Sequence, residues 1–302
     1  MKKSVSLLLA IILCLSFVGC AGAKYESVPV QIDYDAAVVS YLGPEGTYTQ
    51  EACGVFFDKR GEYIPYVTVQ EAVKALFAGE SNYAVIPQEN TIGGAVIDYV
   101  DTLIANTEVY VVGEVELPIN QNLLTYPGTE PGDIKTVYSH AQGITQGKKW
   151  LEENLPNAEV IEVSSTAEGA KMVAEAKETA YAAIASAACA DVYGLDILAE
   201  GIQNNTSNKT RFYVLTKDAP ATAEYERLAF IAMGSADTLP ELLAGMNKEK
   251  MTLITLHDRP LKTELGEYYY LIECADSSYG DYLKITEKSE FEFRYLGSYD
   301  AK

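Results

Sequence analysis

The chain has 302 residues, of which 48% are hydrophobic, and its 43 acidic and 23 basic side chains give a formal net charge of -20. This length and composition supply apolar material for about two domains with buried cores. Nucleic-acid-binding proteins neutralise phosphates with clustered Lys and Arg, so the acidic balance argues against nucleic acid as a partner, and an anionic membrane surface would repel the same chain. With two histidines and no tight Cys/His cluster, the sequence predicts no zinc site.

The N-terminus has the features of an export signal. A basic Met-Lys-Lys start is followed by an apolar run over residues 4–18, a length typical of a secretory signal rather than of a membrane-spanning helix. The run ends in Phe17-Val18-Gly19-Cys20, which resembles a bacterial lipobox with Phe17 in place of the usual leucine. This resemblance implies a signal peptide over residues 1–19 and an extracytoplasmic protein anchored to the membrane only by lipid on Cys20. A plain signal peptide or an uncleaved anchor is the alternative.

The segment after the signal and the remaining cysteines add two expectations. Residues 20–37 are predicted to form a polar tether. Cys14 lies in the signal, so Cys53, Cys189 and Cys274 remain beside the lipidated cysteine. Three cysteines cannot all pair within one chain, and we therefore expect buried, apolar side chains rather than a disulfide scaffold.

From residue 38 onward, apolar runs alternate with helical periodicity, which predicts an α/β fold. The predicted strands of this part are residues 38–42, 83–87, 109–115, 136–138, 181–186 and 211–215. Residues 68–78 have helical spacing, and residues 88–91 are predicted to be a polar turn. Further helices are predicted after three hydroxyl residues with capping-box spacing to a later Gln or Glu: Thr47, Ser139 and Ser165.

Several of these strands end in a polar or glycine-bearing loop that opens a helix. Ligands of open α/β sheets bind at the carboxyl ends of strands, and helix N-termini bind anions. A shared cleft for a small anionic ligand is therefore one interpretation of the pattern. The other interpretation is simple helix capping, in which each hydroxyl stabilises its helix by about 1 kcal/mol.

The pattern changes after Ala219-Pro220-Ala221, which predicts a domain boundary near residues 217–226. Beyond the boundary, the predicted elements are a strand, a helix, two strands, a short polar helical segment and a last strand: residues 228–233, 239–246, 251–256, 267–274, 276–289 and 291–296. The order βαββαβ is that of a ferredoxin-like domain.

Five motifs occur in order along the chain: Tyr41-Leu42-Gly43-Pro44-Glu45-Gly46-Thr47 continuing to Ala52, Glu89-Asn90-Thr91 with Gly94 and Asp98, Ser139-His140-Ala141-Gln142, residues 182–195, and Asn208-Lys209-Thr210-Arg211-Phe212. Together they resemble the motifs of prephenate dehydratases, with Ala141 where proline is usual. Asp258-Arg259-Pro260 and residues 296–299 resemble the regulatory ACT domain that follows in that family. The resemblance covers residues 38–299, and ordered motifs are far more specific than any one alone.

The resemblance implies a bilobed dehydratase domain similar to type II periplasmic binding proteins over residues 38–216, and an ACT-like domain over residues 226–300. One lobe would comprise residues 38–114 and 195–216, and the other residues 115–194. The implied enzyme is a carbon–oxygen lyase (hydro-lyase) of phenylalanine biosynthesis, which converts prephenate to phenylpyruvate, water and carbon dioxide without a cofactor. Arogenate is an alternative substrate.

The family match marks Thr210 as the essential residue, as the donor to the departing hydroxyl or its orienter. Arg211 is predicted to bind a substrate carboxylate bidentately, with a salt bridge as its alternative role. The match assigns neutral hydrogen bonds to the substrate to six further residues: Thr47, Asn90, Thr91, Ser139, Gln142 and Ser186. For Glu89, a role in the cleft and hydrogen bonding to local backbone amides are equal alternatives. His140 is predicted to have a structural role in holding its loop.

Leu239, Leu242, Asp258 and Arg259 stand where the family has regulatory residues. The family's Pro-Gly-Ala-Leu loop corresponds to residues 237–243, which lack the glycine that permits close approach to a ligand. Binding of L-phenylalanine there is therefore left open. We expect the second domain to act mainly in dimerisation, in a homodimer or larger homo-oligomer, and its deletion to disturb assembly more than chemistry.

Two main functions are left after these arguments. The intact Thr210-Arg211-Phe212 favours an exported prephenate dehydratase. The lipobox favours a non-catalytic binding lipoprotein for an aromatic or keto acid, because prephenate is made inside cells. A structural remnant without either activity is the third alternative.

Overall fold

The computed structural model describes residues 27–302, so the predicted signal peptide and Cys20 lie outside the described residues. The strands are β1 (Val38–Leu42), β2 (Glu62–Tyr66), β3 (Tyr83–Asn90), β4 (Gly94–Ala95), β5 (Tyr110–Pro118), β6 (Asn122–Thr125), β7 (Thr136–Ser139), β8 (Glu159–Glu162), β9 (Tyr181–Ala185), β10 (Asp196–Ala199), β11 (Lys209–Thr216), β12 (Arg227–Ser235), β13 (Thr252–Pro260), β14 (Glu267–Ala275) and β15 (Glu292–Tyr299). The α-helices are α1 (Tyr48–Phe56), α2 (Val69–Ala78), α3 (Ile97–Ala105), α4 (Ala141–Asn154), α5 (Thr166–Ala176), α6 (Ala187–Tyr193), α7 (Leu239–Lys248) and α8 (Tyr279–Thr286). None of the helices in residues 27–302 combines the length and apolar character needed to cross a membrane.

The strands form three sheets, and the α/β prediction is confirmed. The first sheet has the order β2-β1-β3-β11-β5, with β4 paired to β3. The second sheet has the order β10-β6-β9-β7-β8. Both are mixed: β1 is parallel to β3 while β11 is antiparallel to it, and β7 is parallel to β9 while β6 is antiparallel to it.

The chain crosses from the first sheet to the second at residues 119–121 and returns at residues 200–208. The predicted lobe limits at 114/115 and 194/195 therefore need correction. The end of β5 still pairs with β11 in the first sheet, and β10 pairs with β6 in the second. Strand pairing between distant segments sets these crossing points, and local periodicity does not show it.

The third sheet is antiparallel, has the order β13-β14-β12-β15 and follows the predicted βαββαβ plan. Alternation along β12 directs Leu228 and Phe230 toward the core beneath α7 and α8, and Ala229 and Ile231 toward the first sheet. The second set shares one core with residues of the first sheet and its helices, such as Leu103.

Polar contacts also join the third sheet to the first sheet's helix α3. Arg294 donates to the carbonyl oxygens of Leu103 (2.6 Å) and Asn106 (2.7 Å) at the C-terminal end of that helix. Arg259 forms a two-pronged ion pair with Asp101 in the same helix. The expectation that the C-terminal part serves mainly in dimerisation is therefore incomplete, because this part also completes the core of the first sheet.

Side-chain caps begin most of the predicted helices where expected. Thr47 accepts from the amide of Gln50, and Ser165 accepts from the amide of Glu168. Helix α4 differs, because its N-cap is His140, whose Nδ1 accepts from the amide of Gln142, while Ser139 stays in β7. The predicted structural role of His140 is thereby confirmed in the form of a helix cap.

Strand β3 extends through residues that were predicted to form a turn. Its ladder with β11 continues to the pairs Glu89–Arg211 and Asn90–Thr210, so cross-strand pairing keeps this polar segment extended. The predicted turn over residues 88–91 is therefore wrong up to Asn90. Propensity within the segment does not reveal a partner strand more than 100 residues away.

The described part of the predicted tether lies against the protein. The amide of Val28 donates to Thr222 Oγ1 (3.0 Å), and the amide of Val30 donates to the hydroxyl of Tyr225 (3.1 Å). The ring of Tyr34 packs edge-on against Phe57. The tether prediction is thus wrong for residues 28–34, since their alternating apolar side chains cover the core around α1. All three cysteines in the described chain are buried and unpaired, as predicted.

Candidate active site

A cavity of about 240 Å³ lies between the first and second sheets. Strands and helices of both sheets end or begin there, as expected for ligand sites at the edges of α/β sheets. Four of the predicted site residues line it: Thr47, Asn90, Gln142 and Thr210. The structure therefore brings these four together, while their roles toward a ligand stay predictions.

Three helices begin at the cavity. Their N-cap residues are Thr47 for α1, His140 for α4 and Ser165 for α5, and all three line it. The free amides and the dipole of a helix N-terminus favour an anion by about 0.3–1 kcal/mol each. No Lys or Arg is among the described lining residues. The attraction for an anion therefore comes from oriented backbone dipoles and neutral hydrogen-bond donors.

Thr210 and Asn90 are paired across β11 and β3, and their side chains interact. Asn90 Nδ2 donates to Thr210 Oγ1 at 2.9 Å. The orientation of the amide follows from its other end, where Oδ1 accepts from the backbone amides of Ile92 (3.0 Å) and Gly93 (2.9 Å), which can only donate. Because Thr210 Oγ1 accepts a hydrogen bond, its own proton is directed to other acceptors, and the donor is strengthened by polarisation.

Glutamine side chains connect the two sides of the cavity. Gln142 Nε2 donates to Asn90 Oδ1 at 3.1 Å and so links the start of α4 to the end of β3. Gln121 Nε2 donates to Gln146 Oε1 at 3.0 Å, and the other amide atom of each of these two buried residues has no protein partner. The pair thus offers a ligand one donor and one acceptor. The sequence analysis missed both residues, although Gln146 lies one helical turn after Gln142 and so on the same face.

Two other groups at the cavity were also missed. Tyr48 donates its hydroxyl to the carbonyl of Asn120 and so reaches from α1 to the crossing segment. Burial raises the pKa of Tyr48 far above its ordinary value, so the hydroxyl stays protonated. Residues 164–166, Ser-Ser-Thr, line the cavity at the start of α5. The signal for them was this hydroxyl run at a strand-to-helix junction, which was interpreted only as a cap.

Arg211 does not face the cavity, and its predicted contact with a substrate carboxylate is corrected. Successive residues of a strand point to opposite faces, so Arg211 points away from Thr210. Its guanidinium is held by three carboxylates, those of Glu273 (2.7 Å), Glu89 (2.8 Å) and Glu114 (3.4 Å), and its side chain is 11% exposed. The alternative salt-bridge role is the observed one. Glu89 has neither of its predicted roles, because its carboxylate binds Arg211.

Three more predicted substrate-binding residues lie in the framework rather than at the cavity. Ser139 Oγ donates to the carbonyl of Ile184 (2.7 Å), and Ser186 Oγ donates to that of Gly46 (2.9 Å). Thr91 Oγ1 lies 3.2 Å from Asn208 Oδ1. None of the three lines the cavity, because each hydroxyl satisfies an acceptor within its own neighbourhood.

Three of the four predicted regulatory residues have partners within the chain. Leu242 is buried in the core beneath α7, and Leu239 packs against the same core. Asp258 is exposed on β13, where its neighbour Arg259 pairs with Asp101. A ligand role for these residues stays a prediction.

Comparisons with known proteins identify the family. Residues 39–220 match the family model for prephenate dehydratase. The chain is 31% identical over 281 residues to the prephenate dehydratase of Bacillus subtilis (strain 168), which covers 87% of this chain and 98% of that protein. It is 36% identical over 237 residues to the bifunctional chorismate mutase/prephenate dehydratase of Neisseria gonorrhoeae, which covers 78% of this chain but 65% of that longer protein.

A solved structure gives the same result. The prephenate dehydratase from Arthrobacter aurescens in complex with L-Phe is 29% identical, with a TM-score of 0.78 and coverage of 87% of this chain and 90% of the other. The family match extends over more than half of this chain, and the Bacillus relative covers nearly all of its described part. The chain belongs to the prephenate dehydratase family.

Proposed function

We propose that this protein catalyses the decarboxylating dehydration of prephenate to phenylpyruvate. The observation that carries the proposal is the hydrogen bond from Asn90 to Thr210 at a cavity that has no Lys or Arg among its described lining residues and at which three helices begin. Relatives that carry the name prephenate dehydratase at 30% identity or more support the same activity. The substrate class is a small dicarboxylate, which the three helix N-termini are suited to bind.

The reaction needs little beyond orientation and one proton. The bond from the ring to its carboxylate breaks and releases carbon dioxide, and its electron pair enters the ring. The C4 hydroxyl leaves with the electron pair of its own bond and takes up a proton to become water. Aromatisation of the ring supplies much of the driving force, so the protein's part is to position the substrate and to donate at the leaving oxygen.

In this proposal the Thr210 hydroxyl donates to the leaving C4 oxygen. A threonine hydroxyl is a weak acid, and the Asn90 hydrogen bond makes it a better donor and fixes its direction. The absence of Lys and Arg among the described lining residues also suits the chemistry. Decarboxylation moves negative charge away from the carboxylate, so an arginine bound there would stabilise the reactant more than the transition state.

The finer architecture belongs to the same proposal. The sheets on either side of the cavity would form the two lobes of a dehydratase domain over residues 38–216. Residues 226–300 would form an ACT-like domain, which the βαββαβ order supports. The L-Phe complex of the Arthrobacter relative makes L-phenylalanine the first ligand to test at that domain. A homo-oligomeric state, and export with a lipid anchor on Cys20, rest on the sequence alone.

The experiment is an assay of phenylpyruvate formation from prephenate at neutral pH, where spontaneous aromatisation in acid does not interfere. We expect Thr210→Ala to lower kcat by about 100- to 10,000-fold, the range of a general-acid contribution. Thr210→Ser keeps the hydroxyl and is the matched control, which should keep most of the activity. No turnover by the wild-type protein, together with a prephenate-induced rise in melting temperature, would instead identify a binding protein.

A further inference from the structure

We propose that Glu273, which belongs to the third sheet, is a positioning residue for the reaction. Through Arg211 and Gln88 it holds the strand segment that carries Thr210, so that the C-terminal part of the chain completes the active site. This inference rests on the proposed function. It assigns to the third sheet a role in catalysis within a single chain, independent of ligand binding or assembly.

The carboxylate of Glu273 is held in place by side chains of its own sheet. Its side chain is fully buried. The hydroxyl of Tyr299 donates to Oε1 at 2.7 Å, and Thr255 Oγ1 lies 3.4 Å from Oε2. These partners lie on two other strands of the third sheet, β15 and β13. The carboxylate is therefore oriented before any group of the first sheet reaches it.

Two side chains of the first sheet donate to Glu273. One comes from β11, which carries Thr210, and the other from β3, which carries Asn90. Arg211 Nη1 donates to Glu273 Oε2 at 2.7 Å from β11. Gln88 Nε2 donates to the same oxygen at 3.2 Å from β3. One carboxylate oxygen thus joins two paired strands at one point.

That point is an irregularity in the ladder between the two strands. Arg211 pairs with Glu89, but the next residue, Phe212, pairs with Pro87, so Gln88 is the extra residue of a bulge. A bulge interrupts the ladder and lets the strand bend locally. Beyond it, the ladder between β3 and β11 ends with the rung of Asn90 and Thr210, whereas the ladder between β11 and β5 runs regularly past Thr210. Glu273 supplies a side-chain connection at the place where the backbone pairing is broken.

A second buried carboxyl group, that of Glu114, lies next to Glu273. Comparing the two allows the effect of the charge of Glu273 to be separated from the effect of changing a buried side chain. Burial and the proton shared with Glu273 raise the pKa of Glu114 above its ordinary value. Burial alone would raise the pKa of Glu273 as well, but that shared proton and the charge of Arg211 outweigh it and lower its pKa. Glu114 is thus the neutral partner and Glu273 the anion. Replacing each by glutamine changes the same number of atoms but only one of the two charges.

The test compares Glu273→Gln with Glu114→Gln and with Asp101→Asn in the same phenylpyruvate assay. Asp101→Asn removes a different ion pair of the third sheet, that of Arg259 with helix α3, and leaves β11 untouched. We expect Glu273→Gln to lower kcat by about 10- to 100-fold, because displacement of a catalytic group by about 1 Å costs up to that much. Its KM should stay within about twofold, since Glu273 does not line the cavity. Glu114→Gln should keep most of the wild-type kcat, and Asp101→Asn all of it.

Folding is checked by the melting temperature of each variant. If Glu273→Gln is insoluble, Glu273→Asp is the second variant, which keeps the charge but withdraws it from Arg211 and should show the same fall in kcat at constant KM. A wild-type kcat in soluble Glu273→Gln or Glu273→Asp overturns this inference alone. An equal fall in kcat in Glu273→Gln, Glu114→Gln and Asp101→Asn does the same. A wild-type protein without turnover overturns the proposed function and this inference with it.

Discussion

Thr210 and Arg211 are neighbours in the sequence, yet they lie on opposite faces of β11 in surroundings that differ in charge. On the Thr210 side, Phe212 and Val214 follow toward α1, and the cavity has no Lys or Arg among its described lining residues. On the Arg211 side, Tyr213 and Leu215 follow into the core shared with the third sheet, and fully charged groups are buried among them.

The difference shows where full charges are used in this protein. A buried ion pair that loses one partner destabilises a protein by about 3–5 kcal/mol, so such pairs suit a part that must not move. A site from which ligands leave is better served by dipoles, each of which contributes about 0.3–1 kcal/mol. The charged side of β11 therefore holds the strand, and the neutral side is available to a ligand.

The largest expected effect on stability is in the shared core. Leu271 is 1% exposed between the first and third sheets. We expect Leu271→Ala to lower the free energy of unfolding by about 2–5 kcal/mol in urea denaturation, because it leaves a cavity in the core that the first and third sheets share. Leu265→Ala, at a fully exposed position, is the control and should change nothing. Two separate unfolding transitions with only one of them shifted would show that the parts do not share a core.

A smaller effect, on kcat rather than on stability, is expected from Arg211→Lys. A lysine cannot reproduce the fork that contacts Glu273 and Glu89 through different nitrogens. We expect kcat to fall about tenfold at constant KM, since the guanidinium acts through β11 rather than on the substrate. Arg60→Lys, on an exposed surface pair, should leave both constants unchanged. A raised KM with normal kcat would restore the direct carboxylate contact and break the contrast between the two faces.

The smallest effect is a change in the pH dependence of stability. Glu114 faces Glu273, Arg211 and Arg227, as well as the hydroxyls of Tyr213 and Tyr299. Since its pKa is raised, the folded protein keeps a proton that the unfolded chain has released, and stability falls as pH rises through the folded-state pKa.

Glu114→Gln has no such proton to lose. Its free energy of unfolding should therefore decline less than that of the wild type between about pH 4.5, the ordinary pKa of a glutamate, and about pH 8, the pKa of Glu114 in the folded protein, by up to about 1.4 kcal/mol per pH unit. Denaturant titrations at several pH values measure this difference, with the exposed Glu152→Gln as a control that follows the wild-type curve. Parallel curves for Glu114→Gln and the wild type would contradict the shared proton.

Much of the fold could be predicted because its signals are local. Strand β1 has the predicted bounds, and helix α2 (Val69–Ala78) lies within the predicted helical segment 68–78. Ordered motifs led to the family, which the comparisons confirm. The candidate site was predicted only in part, since Thr47, Asn90, Gln142 and Thr210 line the cavity while Ser139, Ser186, Thr91 and Arg211 do not.

The sequence by itself determined the order of elements, most helix starts and the family, because periodicity, capping residues and motif spacing act within a few residues of chain. Only the tertiary structure decided which face of β11 meets the cavity and which meets the third sheet. Alternation along a strand says that Thr210 and Arg211 point apart, but not which of them faces a ligand. That choice depends on Glu273, 62 residues away in the chain, whose carboxylate binds the arginine.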